Sequence, residues 1–316
     1  MVINIPPSVP AVQESYAVRT EHLTKCYGGI PVISDVSMCV RTGDIYGLVG
    51  KNGAGKTTLM RLILGLANPT LGNISMFDSN MDMSRARSFV GSLVESPALY
   101  SGLSAIDNLR RFSILTGTTE SEMAQILSTV GLTAASTKKV RYFSLGMKQR
   151  LGLAIAMLGR PKLMILDEPV NGLDPEGIKE FRDIILQLHN QGITFIISSH
   201  LLDELGKVAT RYGVMYNGRL TQEFTPDDFL KAHKSNGAAV TVNSSSKAEA
   251  VIKAACPGAT VKILNMNEIL VDAAGPIDEL NALLVRNNVR VSKLSRSNAL
   301  LEESFLELLN GKEATL

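Results

Sequence analysis

The sequence predicts an α/β fold, a twisted and mainly parallel sheet over residues 16–234, with a small α/β domain behind it over residues 235–316. Three observations carry that expectation. Short apolar runs of strand length alternate with helical patterns through the first two thirds of the chain. A glycine-rich segment stands between one such run and an apolar helix. Around residues 231–238, KAHKSNGA, the composition shifts to that of a linker, and a second α/β pattern follows it.

In chain order, residues 15–21 alternate as a strand does, and residues 33–40 give a second strand. Thr42-Gly43-Asp44 turns into residues 45–49, a short apolar run that ends at Gly50 like a buried strand. A helix is expected over 57–66, and helical patterns dominate 104–158. Core strands are expected at 163–166, 193–198 and 212–216. Asn217-Gly218 separates the last of these from residues 219–224, a two-residue hairpin signal. Beyond the linker the expected order is strand 239–242, helix 246–255, strands 260–264 and 268–272, helix 276–287 and strand 289–293. That βαββαβ order is the split-βαβ, or ferredoxin-like, pattern. A last helix is expected at 299–309.

Composition narrows the function. The chain has 316 residues, 45% hydrophobic and 20% charged, enough for a substantial core. Its 32 Lys+Arg and 30 Asp+Glu leave a net charge of only +2, unlike a basic nucleic-acid coat or an acidic disordered tail. Cys26, Cys39 and Cys256 share no short spacing, and the four histidines lie far apart, so neither a disulfide framework nor a metal cluster is suggested. The best apolar stretch, residues 59–67, is broken by Arg61, whereas a membrane span needs about 20 residues. Residues 1–15 lack the basic and apolar regions of a secretion signal, and Pro6, Pro7 and Pro10 predict a mobile leader. The expected location is the cytoplasm, or the membrane face through a partner chain.

Gly50-Lys51-Asn52-Gly53-Ala54-Gly55-Lys56-Thr57-Thr58 matches the phosphate-loop pattern G-x-x-x-x-G-K-[ST] in full. Glycines let backbone N–H groups wrap a phosphate without Cβ clashes, and the helix that follows offers its positive end to the anion. Lys56 reaches the β- and γ-phosphates as a point charge, and the Thr57 hydroxyl suits Mg2+, a hard, oxygen-seeking ion. A second motif ends an apolar strand in Asp167-Glu168-Pro169. Asp167 can hold Mg2+ beside Thr57, and Glu168, one residue on, can polarise an attacking water.

Between these two motifs stands Phe143-Ser144-Leu145-Gly146-Met147-Lys148-Gln149-Arg150, and here the chain resembles the ATP-binding subunits of ABC transporters. The segment looks like their signature, with Leu145 and Met147 in place of the usual glycine and glutamine. Ser144 and Gly146, at the positions that meet the γ-phosphate of ATP held by a second subunit, are kept. Tyr27 sits where the family stacks an aromatic on adenine. Asn171-Gly172-Leu173-Asp174-Pro175 resembles the D-loop, and Ser198-Ser199-His200 the segment of the switch histidine. The resemblance covers about residues 16–231. It implies an antiparallel β subdomain, a helical subdomain at about 82–159, ATP and Mg2+ as cofactors, and two copies sandwiching two ATP. It also implies a separate transmembrane permease as partner, and catalysis by Glu168, His200 and Lys56.

One departure points to a branch of that family. Where the family usually has glutamine, Val90 to Tyr100 offers Glu95. A glutamate there, with Ser-Leu-Gly-Met-Lys-Gln-Arg at the signature, is similar to the bacitracin and lantibiotic self-protection branch. The resemblance places Glu95 among the nucleotide and metal contacts and implies export of a peptide antibiotic. A soluble ATPase of the same family acting on ribosomes or DNA is the alternative. It is disfavoured by the single phosphate loop and the absence of a heptad run, and no nucleic-acid partner is expected.

Overall fold

The computed structural model describes residues 15–77, 81–95, 97–200, 202–232, 238–272 and 277–296. By its internal contacts the chain divides into residues 1–223 and 224–316. The division falls before the 234/235 boundary read from composition, because the short helix at Pro226–Ala232 groups with the second unit.

The first unit begins with an antiparallel sheet of β1 (Tyr16–Tyr27), β2 (Ile30–Arg41) and β4 (Leu71–Met76), in the order β2-β1-β4. Both long strands outrun the sequence expectation. Their alternation is broken by register shifts near Leu23, where His22 and, across the pair, Asp35 take positive φ. β4 was not foreseen, since its burial alternates weakly and Leu71 is exposed.

The second sheet holds six strands in the order β5-β6-β7-β3-β8-β9. They are β3 (Ile45–Val49), β5 (Val90–Leu93), β6 (Leu163–Asp167), β7 (Thr194–Ser199), β8 (Arg211–Tyr216) and β9 (Arg219–Phe224). The pairs β5·β6, β6·β7, β7·β3 and β3·β8 are parallel. Every residue of β3, β6 and β7 is buried, as strands covered on both faces require. The β8–β9 turn has positive φ at both Asn217 and Gly218, the backbone of a two-residue hairpin. Tyr46 lies buried in β3, and its hydroxyl donates to Glu223 Oε1 in β9 at 2.7 Å. Burial pushes both acids up.

Helices link the strands. α1 (Lys56–Leu64) ends at Gly65 in the left-handed conformation, and α2 (Met83–Arg87) is capped by Asp82. The helical region contains α3 (Ala105–Thr116), α4 (Glu120–Thr129) and α5 (Leu145–Ala156). A capping box of Thr119 and Glu122 starts α4. α6 (Pro175–Asn190) and α7 (Leu202–Leu205) follow β6 and β7. One hydrophobic core joins the antiparallel sheet, α1 and the parallel strands through Leu23, Ile33, Leu59, Ile63, Ile165 and Ile196.

In the second unit, α8 (Pro226–Ala232) precedes β10 (Ala238–Val242), α9 (Ser245–Ala255), β11 (Thr260–Ile263), β12 (Glu268–Asp272), α10 (Ile277–Arg286) and β13 (Val291–Arg296). The four strands form an antiparallel sheet in the order β11-β12-β10-β13. That is the βαββαβ arrangement read from the sequence. Its own core includes Val240, Ile252, Ile269, Leu280 and Leu284. Residues 1–14 of the leader expected at 1–15, and the helix expected at 299–309, lie outside the described residues.

Candidate functional site

Parallel strands share polarity, so the C-terminal ends of β3, β5, β6 and β7 lie along one edge of the sheet. Registers fix what meets there. Leu93 pairs with Leu166, Asp167 with Ser198, and Val49 with Ser199. The residues that follow each strand therefore converge outside the sheet, where open α/β folds bind ligands.

The loop after β3 is shaped by close backbone approaches. A Cβ on Gly50 would stand 2.5 Å from the Met215 carbonyl, and one on Gly55 would stand 2.8 Å from Ile33 Cδ1. Gly53 and Gly55 also have φ of 82° and 105°. The β8–β9 turn supports the loop from beside it, with Gly218 N donating to the Ala54 carbonyl at 3.0 Å. Lys51, Asn52 and Thr58 line the cleft over the loop with Lys56, Asp167 and Glu168, around a volume of about 250 Å³.

The expected site residues meet in this cleft. Lys56, 6% exposed, donates from Nζ to the Gly50 carbonyl at 2.6 Å and lies 3.4 Å from Glu168 Oε1. The Thr57 hydroxyl donates to Asp167 Oδ2 at 2.6 Å. Glu168 takes the left-handed backbone, φ 47°, and its Oε2 is 2.7 Å from His200 Nδ1. The loop, the β6 carboxylates and the histidine after β7 thus form one connected network.

Two further groups have no role of their own in the sequence reading. The buried Ser198 hydroxyl donates to Asp167 Oδ1 at 2.5 Å and accepts from Glu168 N at 2.9 Å. The signal was available as a serine inside an apolar strand. Its meaning depends on the β6–β7 register. The other is Arg61, one helical turn beyond Thr57 on α1, whose Nη2 forms an ion pair with Glu95 Oε1. Glu95 stands at the correct edge of the sheet but pairs with Arg61, is 61% exposed on its side chain, and has φ 64°.

The remaining predicted residues stand elsewhere. Ser144 caps α5 by accepting from Met147 N at 3.2 Å. Asp174 caps α6 by accepting from Gly177 N at 3.1 Å, with Pro175 at the first helical position. Ser144, Gly146 and Asp174 line a separate cleft of about 460 Å³. Tyr27 closes β1 with its ring half exposed and Lys25 Nζ 4.8 Å from the ring centre.

The cradle fits a bound nucleotide and its metal. Gly50 and Gly55 let the loop close tightly against Met215 and Ile33, and Gly53 leaves open space where a Cβ would stand. Lys56 supplies a cation, and Thr57 and Asp167 supply the hard oxygen donors that Mg2+ selects.

Comparisons with known proteins agree with this geometry. Residues 33–171 match the family described as ABC transporter. The chain is 36% identical over 300 residues to the bacitracin transport ATP-binding protein BcrA of Enterococcus faecalis, covering 94% of this chain and 97% of that protein. It is 42% identical over 206 residues to the lantibiotic transport ATP-binding protein SrtF of Streptococcus pyogenes, covering 65% of this chain and 90% of that one. Among solved structures, cbiO1 of Clostridium perfringens, part of the ABC transporter complex cbiONQ, matches with a TM-score of 0.63 at 27% identity. That match covers 70% of this chain and 92% of cbiO1.

Proposed function

The chain belongs to the ABC transporter ATP-binding proteins, and from that premise we propose that it powers a separate membrane permease that expels a peptide antibiotic of the bacitracin or lantibiotic type. It is an ATPase whose hydrolysis is coupled to transport. The cargo reading is supported by the relatives' names, bacitracin transport and lantibiotic transport. The observation that carries the chemistry is the network in which Lys56, Thr57, Asp167, Glu168 and His200 converge.

In this reading the backbone amides from Gly50 to Thr58 and the Lys56 ammonium hold the β- and γ-phosphates. Thr57 and Asp167 hold Mg2+, which supplies charge neutralisation at the phosphate oxygens when bound. Glu168 orients and polarises the attacking water, and His200 holds the Glu168 carboxylate while facing the γ-phosphate. The exposed Tyr27 ring stacks on adenine. Ser144, Gly146 and Asp174 lie outside the phosphate cleft of their own chain. That separation supports a homodimer in which each copy's signature completes the other's site. Among the described residues no helix is long and apolar enough to cross a membrane, which supports attachment to the inner membrane face through the permease. The test of cargo is co-expression with the permease chain in a sensitive host. Tolerance to bacitracin or a lantibiotic is expected to rise, and no rise alongside measurable ATPase activity would overturn the cargo reading.

Glu95, joined to Arg61 on the phosphate-loop helix, links that helix in this reading to the helical subdomain at 82–159 and serves the nucleotide and its metal from there. Glu95→Gln is expected to keep most of the ATPase activity, since an acceptor oxygen survives. Glu95→Ala is expected to lower antibiotic protection more than ATP affinity. Titrating ATP binding, turnover and resistance for both variants checks this, and unchanged resistance in Glu95→Ala at equal expression would make Glu95 a plain surface charge.

The two hydrophobic cores share no residue, which supports separate domains at 16–234 and 235–316 after a leader at 1–15. Truncation after residue 234 is expected to leave a folded core that binds ATP. Insolubility, or loss of ATP binding, would show that the boundary is misplaced.

A further inference from the structure

We infer that Ser198 is a positioning residue of the ATPase site, a third polar group on which both the metal carboxylate and the water-orienting glutamate depend. The inference rests on the ATPase reading above and deepens it. Ser198 is fully buried in β7, directly after the buried apolar run Phe195-Ile196-Ile197. A hydroxyl at that depth costs stability unless it is bonded, and here both of its capacities are used inside the site. As donor it holds Asp167 Oδ1 at 2.5 Å, and as acceptor it takes Glu168 N at 2.9 Å.

Each bond has a separate consequence. A carboxylate whose Oδ1 is fixed presents its Oδ2 in one direction, and that oxygen is the one on Thr57 Oγ1. Ser198 therefore sets the angle at which Asp167 and Thr57 jointly offer oxygens to Mg2+. Residues that orient a metal-ligating group from behind typically matter 10–100-fold in metal affinity or activity. The second bond anchors the peptide of Glu168, a non-glycine residue in the left-handed conformation. With that peptide fixed, the Glu168 side chain reaches both Lys56 and His200. β7 carries Ser198 and runs on to His200, so the same strand supports the glutamate's backbone and its side-chain partner.

The test compares Ser198→Ala and Ser198→Thr with wild type by displacement of a fluorescent ATP analogue with ATP, first in EDTA and then across a MgCl2 titration. Thermal unfolding is measured on the same samples. Ser198→Ala is expected to match wild-type ATP affinity in EDTA, because the loop and Lys56 are untouched. The MgCl2 concentration for half the metal effect is expected to rise about tenfold or more. Ser198→Thr, which keeps the hydroxyl, is expected to stay within about threefold of wild type in that Mg2+ dependence. Equal Mg2+ dependence in Ser198→Ala and wild type would overturn the inference. So would an equal loss of affinity in EDTA and in Mg2+, which would make Ser198 a packing residue. If wild type itself binds no ATP, the ATPase reading fails first and this inference with it.

Discussion

Glu168→Gln is expected to keep ATP and Mg2+ binding and to slow hydrolysis by roughly 10²–10⁴-fold, the range that a positioned general base contributes. The amide preserves the shape of the side chain, and its one remaining oxygen can still accept from His200 or Lys56. It loses the negative charge that polarises water, and its NH2 then faces whichever of those donors the oxygen does not serve. Binding should survive because the loop backbone, Lys56, Thr57 and Asp167 hold the nucleotide without Glu168. ATP that binds and is not hydrolysed should then hold two copies together. Phosphate release gives the rate, and light scattering with and without ATP gives the mass. A near-wild-type rate, or monomer alone with ATP, would remove Glu168 from its assigned role.

What the sequence could and could not reveal follows from the range of the interactions involved. The loop from Gly50 to Thr58 was legible because its function is encoded in adjacent residues, as glycines that clear backbone and a lysine that reaches back to it. Asp167 and Glu168 were legible because a buried parallel strand is a run of apolar residues whose first charges mark its end. The hairpin at Asn217-Gly218 was legible from two residues, but its bond to Ala54 depends on how β8 lies beside β3. Ser198 and Arg61 were hidden for the same reason. The first acts through the pairing of β7 with β6, and the second through the proximity of α1 to the end of β5. β1 runs on past Glu21 because the bulges near Leu23 shift the inward-facing set, so a strict period of two loses the strand midway. The separation of Ser144 and Gly146 from the phosphate cleft is a property of tertiary structure alone, although the family resemblance implied it.

Lys56→Ala is expected to lower ATP affinity by at least about 30-fold, and to abolish protection in cells with it. Lys56 is a buried cation whose Nζ is held by the Gly50 and Lys51 carbonyls and by the nearby Glu168 carboxylate. Truncating one partner of a buried, hydrogen-bonded charge pair across a binding interface, here Lys56 against the phosphate, typically costs about 2–5 kcal/mol of binding, and each 1.4 kcal/mol is roughly a factor of ten. The ammonium is also the cation nearest the place the loop prepares for phosphate, so binding loses an attraction as well as a loop brace. Lys56→Arg is expected to fail nearly as badly. Its planar fork cannot take the single position that two loop carbonyls assign to a compact ammonium at 6% exposure. Wild type should gain thermal stability with saturating ATP, whereas both variants should gain little, since a ligand stabilises only as far as it binds. Unchanged melting temperatures of the ligand-free variants would separate lost binding from lost folding. An ATP affinity within threefold of wild type for Lys56→Ala would show that the loop backbone alone carries the phosphate contact.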